Sequence, residues 1–246
     1  MSMLTRAVPR PAPSSMTGAC AACAIREMSV CSVLSERELN RLCSIISTVN
    51  VGAGGTVISE GEPADDLFNV VRGSVKLYKL LPNGRRQVTG FLFPGDFLGI
   101  ALNDTYAYSA EAIEPLQLCR FPRRKLEGLL AEMPKLEHKL LGTTAHELAA
   151  AQDQMVLLGR KTAKERVATF LVALSERALR HGRSGESLQI PMSRTDIADY
   201  LGLTTETVSR NVTRLRRAKL IGAGANNGIE ILNSAGLRAL VDGAPD

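Results

Sequence analysis

The chain of 246 residues contains no tryptophan and only three histidines, and none of its uninterrupted apolar runs approaches the ~18 residues that a membrane-spanning helix requires. The N-terminus also lacks the apolar core of a signal peptide, because Pro9, Pro11 and Pro13 interrupt the residues before Gly18-Ala19-Cys20. These absences predict a cytoplasmic chain whose thiols are reduced. Apolar residues make up 45% and charged residues 22% of the sequence, as is typical of a globular protein, and the length suffices for two domains.

Five cysteines are present, an odd number that argues against a disulfide framework in a chain of this length. Three of them, Cys20, Cys23 and Cys31, fall within twelve residues. A thiolate site for zinc or for an iron–sulfur cluster takes four cysteines, so this stretch is one ligand short. An iron–sulfur cluster, a structural zinc ion and unligated thiols are all compatible with it. Cys43 lies on an apolar helix face and is interpreted as a small buried apolar residue.

Residues 1–18 are rich in proline, serine, alanine and arginine, which predicts a disordered tail. Ser35 and Glu38 form a capping box that opens a short helix. Between residues 49 and 121, short β-prone runs alternate with glycine and proline turns, and Asn83-Gly84 is a strong hairpin signal. The pattern favours an antiparallel β-roll of the jelly-roll type. With helices before and after this roll, the predicted fold class is α+β.

A long helical pattern follows Pro134 and runs to about Leu158. Leucine and small residues recur along it at steps of three and four, which favours a two-stranded coiled coil. The alternative is a long helix that packs on its own domain. Gly159 is predicted to end this helix and to form the hinge between two domains. The apolar stripe comprises Leu136, Leu140, Thr144, Leu148, Ala151, Met155 and Leu158.

Two short helices joined at a glycine are predicted further along the chain. Ser193 caps the first helix, which ends at Gly202, and Thr204 caps the second, which runs to about Lys219. Ala198 is small and is expected where the two helices cross. This arrangement predicts a helix-turn-helix. The stripe that its second helix buries comprises Val208, Val212 and Leu215.

The opposite face of the second helix carries groups that read base edges in the major groove of DNA. Arginine donates two hydrogen bonds to guanine, glutamate accepts a hydrogen bond from cytosine, and serine forms hydrogen bonds with several bases. Further basic residues follow and suit contacts to phosphates, although a solvated basic face is the alternative. Asn227-Gly228, between short β-prone runs, predicts a wing hairpin. The candidate DNA-binding residues are Glu206, Ser209, Arg210, Thr213 and Arg214.

From Cys20 to about Leu240, the order of β-roll, long helix and winged helix-turn-helix resembles the CRP/FNR superfamily of bacterial transcription regulators. Glu206, Ser209 and Arg210 are similar to the E-x-x-S-R signature of its FNR branch. The resemblance implies an oxygen-responsive homodimer that binds a palindrome with TTGA and TCAA ends and contacts RNA polymerase. It also implies a cluster-binding and sensor domain at 19–133, a dimerisation helix at 134–159 and a DNA-binding domain at 160–246.

The same resemblance implies roles for three residues of the reading face. Arg210 is expected to contact guanine, Ser209 to lie on the thymine side, and Glu206 to orient the face.

Nucleotide-binding relatives in this superfamily carry a Gly-Glu pair for the ribose and an Arg-Ser pair for the phosphate. This chain has Ile100 after Gly99, and Tyr108 before Ser109. An isoleucine offers the ribose no hydrogen bond, and a tyrosine has no charge to pair with phosphate. No cyclic nucleotide is therefore expected, and the roll is interpreted as a retained scaffold.

Cys119, on the last predicted strand, resembles the residue that supplies the fourth ligand of a [4Fe–4S] cluster in FNR-type regulators. Arg26 and Arg120 are candidates to offset part of the charge of such a cluster. The gap between Cys23 and Cys31 is longer than in the enteric prototype and resembles that of alphaproteobacterial members. The implied cluster ligands are Cys20, Cys23, Cys31 and Cys119.

Three other functions are compatible with parts of the sequence. A regulator could bind a small molecule in the roll, and a constitutive DNA-binding protein could use zinc as a structural ion. An enzyme on a cupin-like roll would need histidine ligands inside the barrel. Because His138, His146 and His181 all lie outside the predicted strands, catalysis is not expected.

Overall fold

The structure is a computed structural model that describes Cys20 and residues 23–101, 104–225 and 228–243. The tail predicted to be disordered, residues 1–18, lies outside these ranges. Asn227 of the predicted wing turn also lies outside them.

The chain divides into two compact units. The first comprises the described residues up to Lys79 together with Gly90–Ala145. The second comprises Leu80–Thr89 and the described residues from His146 onwards. The division falls within the long helix, so this helix contributes to both units.

The first unit is a β-roll flanked by short helices. It begins with two turns of 3-10 helix, Arg26–Met28 and Val30–Val33. The elements that follow are α1 (Glu36–Cys43), β1 (Ser47–Val51), β2 (Thr56–Ile58), β3 (Asp66–Arg72), β4 (Val75–Leu80), β5 (Arg86–Leu92), β6 (Phe97–Leu98), β7 (Ser109–Ala112), β8 (Leu116–Pro122), α2 (Arg123–Leu130) and the first part of α3 (Pro134–Arg160). The end of β4 and the start of β5 lie in the Leu80–Thr89 segment, which belongs to the second unit.

Two four-stranded sheets form the roll, with the strand orders β1-β8-β3-β6 and β2-β7-β4-β5. Strand β8 pairs antiparallel with both of its neighbours, so that Cys119 lies opposite Thr48 of β1 and Asn69 of β3. Val70 and Leu118 are fully buried in the core between the sheets. The antiparallel roll that the spacing of turns predicts is thus confirmed.

A second core, which we call the outer core, covers the opposite face of β3 and β8. Here Leu67 and Phe121 of the sheet meet α1, α2 and the start of α3. Phe97 and Phe121 pack with their rings tilted by 47° and their centroids 5.6 Å apart. The helices bury this face because the apolar residues of each lie on one side, such as Leu39 and Leu42 of α1.

Gly95 allows the N-terminal turns to lie close to the sheet. Its φ of 97° lies in the left-handed region that glycine adopts without strain. A Cβ at this position would lie 3.1 Å from the Met28 Cβ. Met28 ends the first turn, between Cys23 and Cys31, so the glycine sets how closely the cysteine-containing stretch approaches the roll.

Helix α3 presents two different apolar faces. Leu136 is 0% exposed and Leu140 packs beside it, so both belong to the outer core of their own chain. Leu148 and Met155 are 61% and 71% exposed, and Leu141, seven residues before Leu148, is also exposed. The predicted stripe therefore divides into a buried part and an exposed part. The exposed part also takes in Leu141 and comprises Leu141, Thr144, Leu148, Ala151 and Met155.

The second unit is a helical domain with a small sheet. Helix α3 continues through Gly159 to Arg160, slightly beyond the predicted break. A capping box of Thr162 and Glu165 begins the next helix. Within the described residues, no helix is long and apolar enough to cross a membrane. The further elements are α4 (Ala163–Arg180), β9 (Ser187–Leu188), α5 (Arg194–Leu201), α6 (Thr205–Arg217), β10 (Ile221–Ala223), β11 (Ile229–Ile231) and α7 (Ser234–Val241).

Candidate functional site

The helix-turn-helix begins at a fully formed capping box. The Ser193 Oγ accepts the backbone N–H of Asp196 at 3.0 Å, and the Asp196 carboxylate accepts the N–H of Ser193 at 3.2 Å. Arg86, from the Leu80–Thr89 segment of this unit, pairs with Asp196 at 2.9 Å and with Asp199 at 3.0 Å. These contacts fix the start of α5 and hence the orientation of the turn that follows.

Gly202 makes the turn between α5 and α6. It closes α5 in the left-handed conformation, with a φ of 62° and a ψ of 39°, as is usual for a helix C-cap. An added Cβ would lie 3.1 Å from Leu158, so the position has little room for a side chain. Ala198 is buried at the helix crossing, which agrees with the prediction.

Helix α6 has one buried face and one exposed face. The predicted core residues Val208, Val212 and Leu215 are buried. Asn211 is buried as well, and its side-chain amide donates to the Thr207 carbonyl at 2.8 Å. No sequence signal pointed to a buried amide here. The five predicted reading residues are all exposed on the other face: Glu206, Ser209, Arg210, Thr213 and Arg214.

Contacts within α6 position the predicted reading residues. Glu206 and Arg210 lie one helical turn apart, with the carboxylate 3.7 Å from the guanidinium Nε. The Thr213 hydroxyl donates to the Ser209 carbonyl at 3.0 Å. Because the Glu206–Arg210 pair is exposed, it contributes little to stability, but it does hold the arginine along the helix. The face is consequently open to a duplex and partly ordered before one binds.

Lys219, just beyond α6, is the one described residue other than glycine with a positive φ, at 53°. Its backbone N–H donates to the Arg216 carbonyl at 3.0 Å, and the Leu220 N–H donates to the Leu215 carbonyl at 3.1 Å. These bonds close the helix with a left-handed residue, a place where glycine is usual. The lysine contributes a positive charge beside the last turn of the reading helix.

A three-stranded sheet with the order β10-β11-β9 follows the reading helix. Ile221 pairs with Ile231, and Ala223 with Ile229, in antiparallel register. The described residues of β10 and β11 thus form the two arms of the predicted wing.

The structure joins Cys20 and Cys43 by a disulfide, with their Cα atoms 6.4 Å apart. The expectation that all thiols are reduced does not hold for this pair. Cys43 is buried in the apolar core, as predicted, and its sulfur is in addition bonded to Cys20. The physical reason lies in α1. Its last residue, Cys43, shares the buried face of Leu39 and Leu42, and this face brings the sulfur to the outer core where Cys20 packs.

The remaining three cysteines, Cys23, Cys31 and Cys119, are free thiols of intermediate exposure. Burial, together with the neighbouring Cys23 and Cys31, raises the pKa of the Cys119 thiol to about 12. Burial also raises the pKa of Cys31; a hydrogen bond from Ser29 opposes this effect, Cys23 adds to it, and Arg26 opposes it. Cys119 of β8 is thus near enough to Cys23 and Cys31 of the N-terminal stretch for their charges to act on it.

The two predicted arginines differ in their surroundings. Arg26 acts to lower the pKa of Cys31, but its effect is smaller than that of burial, which raises this pKa overall. Arg120 instead pairs with Asp66 at 2.7 Å. It alternates with Cys119 along β8 and lines a cavity with Val49 and Phe68, so its charge belongs to the opposite face of the strand. The expectation that Arg120 serves the thiols is wrong.

The thiols match a thiolate-bound group by donor type. Cys43 belongs to the outer core, and Cys20, Cys31 and Cys119 pack against the same core. Among the described residues, no three cysteine, histidine or acidic side chains are already arranged as a metal site. A set of four thiolates therefore requires reduction of the bond between Cys20 and Cys43. Because the pKa values of Cys31 and Cys119 are raised, formation of the thiolates also requires a metal that displaces the thiol protons.

Ile100 and Tyr108, which the resemblance compares with nucleotide-binding residues, have partners within the roll, as does the nearby Tyr106. The phenol oxygen of Tyr108 accepts the backbone N–H of Gly99 at 3.1 Å. Tyr106 donates to the Asp66 carbonyl at 2.7 Å. Ile100 packs against the outer core. These three side chains thus have structural partners within the described part of the first unit.

Comparisons with known proteins agree with both halves of this architecture. Residues 48–133 match the cyclic nucleotide-binding domain family, and residues 165–240 match the Crp-like helix-turn-helix domain family.

The chain is 43% identical over 221 residues to the nitrogen fixation regulation protein FixK of Bradyrhizobium diazoefficiens, covering 90% of this chain and 93% of that protein. It is 39% identical over 206 residues to the transcriptional activator protein FnrL of Cereibacter sphaeroides, covering 82% and 83%. The structure of FixK2 from Bradyrhizobium japonicum matches with a TM-score of 0.75 at 38% identity, covering 80% of this chain and 97% of that one. The chain therefore belongs to the CRP/FNR family of DNA-binding transcription regulators and is not an enzyme.

Proposed function

We propose that this regulator responds to oxygen through a [4Fe–4S] cluster held by its N-terminal thiols and by β8. When bound, the cluster supplies an oxygen-labile link between the N-terminal stretch and the roll. Activation or repression of genes at low oxygen then follows from the amount of DNA-bound dimer. The ligands we assign are Cys20, Cys23, Cys31 and Cys119.

The observation that carries the proposal is the convergence of Cys23, Cys31 and Cys119. They come from positions as far apart as 23 and 119, yet each of the two N-terminal thiols affects the pKa of Cys119. Packing alone does not require sulfur at three neighbouring positions, whereas a soft metal centre does. Arg26 supports the assignment because its charge favours the thiolate of Cys31.

The exposed stripe of α3 supports a homodimer. Leu141, Leu148 and Met155 are spaced by seven residues, with Thr144 and Ala151 between them, which is the spacing of a two-stranded coiled coil. Large apolar side chains at such exposure are usually covered by a partner. A second copy of the same helix fits this stripe, and two reading helices then suit two half-sites of a palindrome about one turn, ~34 Å, apart.

The exposed face of α6 supports recognition of a palindrome with TTGA and TCAA ends. Arg210 is assigned to guanine, and Glu206 holds it along the helix. Ser209 and Thr213 lie on the same face, and Arg214 stands beside them for a phosphate. RNA polymerase is the expected protein partner of the bound dimer.

The roll is proposed to act without a cyclic nucleotide. Tyr108 has no charge for a phosphate and already accepts the Gly99 N–H. Ile100 provides no hydrogen bond for a ribose and packs on the outer core.

Anaerobic purification with iron and acid-labile sulfide analysis tests the proposal. We expect iron and sulfide in equal amounts and a visible chromophore, which decays in air while the dimer dissociates and affinity for the palindrome falls. Zinc without sulfide would instead identify a structural metal site, and the proposal would then be abandoned.

A second candidate function is a thiol–disulfide response at Cys20 and Cys43, favoured by the bond between them. Its formation removes two protons and two electrons, which a disulfide or peroxide oxidant accepts. Mass spectrometry of alkylated, unreduced protein distinguishes the two functions. If DNA affinity follows the Cys20–Cys43 bond in protein free of iron, the disulfide is the signal; if affinity follows iron and sulfide, the cluster is.

A further inference from the structure

Asn69 is a polar residue at an unusually enclosed position. It lies in β3, is 1% exposed, and within the described residues its side-chain oxygen has no hydrogen-bond donor. Buried amide groups in proteins are almost always paired, because leaving one unpaired costs free energy. A group at this position that exchanges a hydrogen bond with the amide would explain why an asparagine stands among apolar neighbours.

The strand register places Asn69 beside a thiol. Asn69 and Cys119 lie directly opposite each other in the antiparallel pair of β3 and β8. Residues alternate between the faces of a strand, so Asn69 shares the face of Leu67, and Cys119 shares the face of Phe121. Directly opposed residues have Cβ atoms only ~4.5–5.5 Å apart, so the amide and the sulfur are neighbours in the layer that the N-terminal turns cover.

The chemistry of an amide suits a metal-bound sulfur. An asparagine offers a carbonyl acceptor at one end and two N–H donors at the other, and the two orientations have the same shape. In the described residues no donor reaches the Asn69 oxygen, so the amide is not held in one orientation through that atom. As a metal-bound thiolate the sulfur becomes an acceptor, and the amide can donate to it.

We propose that Asn69 is a positioning residue for the cluster, whose amide donates a hydrogen bond to the sulfur of Cys119 and slows loss of the cluster in oxygen. This inference rests on the proposed function. Hydrogen bonds to ligand sulfurs tune the potential and the stability of iron–sulfur centres, and a neutral amide supplies one without adding charge to the buried layer.

Asn69→Leu tests the assignment, because leucine has nearly the same size and forms no hydrogen bonds. Wild type and variant are purified anaerobically, analysed for iron and sulfide, and exposed to a fixed oxygen concentration while the visible absorbance is followed. We expect similar loading and about tenfold faster decay in the variant. We also expect a shift in the Fe–S(Cys) stretching bands of the resonance Raman spectrum.

Thermal unfolding of the metal-free proteins separates this role from a structural one. Metal-free Asn69→Leu should be as stable as wild type or more stable, because an unpaired amide has been removed from the core. Parallel losses of stability and of cluster lifetime would assign Asn69 to packing and overturn the proposal. Should the leucine variant not fold, Asn69→Val, which is also apolar and suits a strand, carries the same comparison with the same two expected signs.

Thr48→Val is the matched control, because Thr48 is the neighbour of Cys119 on the other strand, β1. It should leave the decay rate within about twofold of wild type. Equal acceleration by both variants would indicate a general disturbance beside Cys119 and overturn the specific role of Asn69. If wild type contains iron and sulfide and Asn69→Leu loses its cluster at the same rate, only this inference is overturned. If wild type contains neither iron nor sulfide, the cluster assignment and this inference are overturned together.

Discussion

The DNA-reading face and the thiol site are built in opposite ways. A single exposed helix, α6, carries the whole reading face, and the caps at Ser193 and Thr204 order its surroundings locally. The thiol site draws Cys31 from an N-terminal turn and Cys119 from β8, and it is largely enclosed. The first depends mainly on caps within about 25 residues of sequence, with Arg86 as its one distant contact named above, and the second depends on the packing of the first unit.

This difference determines where a signal has the greatest effect. When a metal replaces the thiol protons, the charge of the buried layer that holds the thiols changes. This change affects the packing of the elements around that layer. Exposed groups such as Arg210 are screened by solvent and change little when their neighbours do. We therefore expect substitutions at the thiol site to act in an all-or-none manner, and substitutions on the reading face to act in graded steps.

The largest expected effect is loss of the cluster in Cys119→Ser. A hydroxyl is a poor replacement for a thiolate ligand, so anaerobically purified variant should contain little iron or sulfide and no visible chromophore. Cys43→Ser is the matched control, since Cys43 lies in the same core but is not an assigned ligand. It should retain both elements. A fully coloured Cys119→Ser, or a colourless Cys43→Ser, would contradict the assigned ligand set.

A second comparison uses two leucines of α3 with contrasting exposure. Leu136→Ala should lower the free energy of unfolding by about 2–5 kcal/mol, because it leaves a cavity in the outer core. Leu148→Ala should change monomer stability by no more than about 0.5 kcal/mol, because that side chain is exposed. Only the second should weaken self-association directly.

Denaturant unfolding at low protein concentration and sedimentation at high concentration provide the two readouts. If Leu148→Ala leaves the dimer unchanged, the exposed stripe is not the dimer interface.

On the reading face, Arg210→Ala should cost about 1–3 kcal/mol on the TTGA site and relax the preference for guanine. Arg214→Ala should weaken binding to all sequences equally and reduce the salt slope by about 1, as expected for a phosphate contact. Titrations against the palindrome and against a site with the guanine replaced measure both effects. Unchanged discrimination in Arg210→Ala would refute its assignment to a base edge.

The two regions also differ in how far sequence alone predicts them. Capping boxes at Ser35, Thr162 and Ser193 all form, and the two faces of α6 follow from helical periodicity. These features are local, so residue spacing determines them. The roll likewise follows from its glycine and proline turns.

Features that depend on tertiary packing were beyond such patterns. Leu136 and Leu148 share one helical spacing, and only the outer core decides that the first is buried. Cys43 occupies an apolar position on α1, which gives no sign of its bond to Cys20. Buried amides such as Asn211 have no periodic signal at all. Family resemblance, rather than residue pattern, supplied Cys119.

The smallest predicted effect concerns how strongly the reading helix is ordered before DNA binds. Lys219 ends α6 at a φ of 53°, a conformation that costs a residue with a side chain about 1 kcal/mol relative to glycine. Lys219→Gly should therefore have a free energy of unfolding about 1 kcal/mol higher than Lys219→Ala. Both variants lose the same charge, so both should reduce the salt slope of DNA binding by about 1.

Comparison of glycine with alanine at position 219 isolates the backbone from the charge. Denaturant unfolding measures the effect of the backbone, and DNA titration at several salt concentrations measures the effect of the charge. Equal stability of the two variants would mean that the helix end relaxes to accept a side chain, and the reading face would then be less ordered than its caps indicate. A stability gap with equal salt slopes would establish that the end of α6 is fixed by its own backbone, in contrast to the thiols, whose positions depend on distant elements.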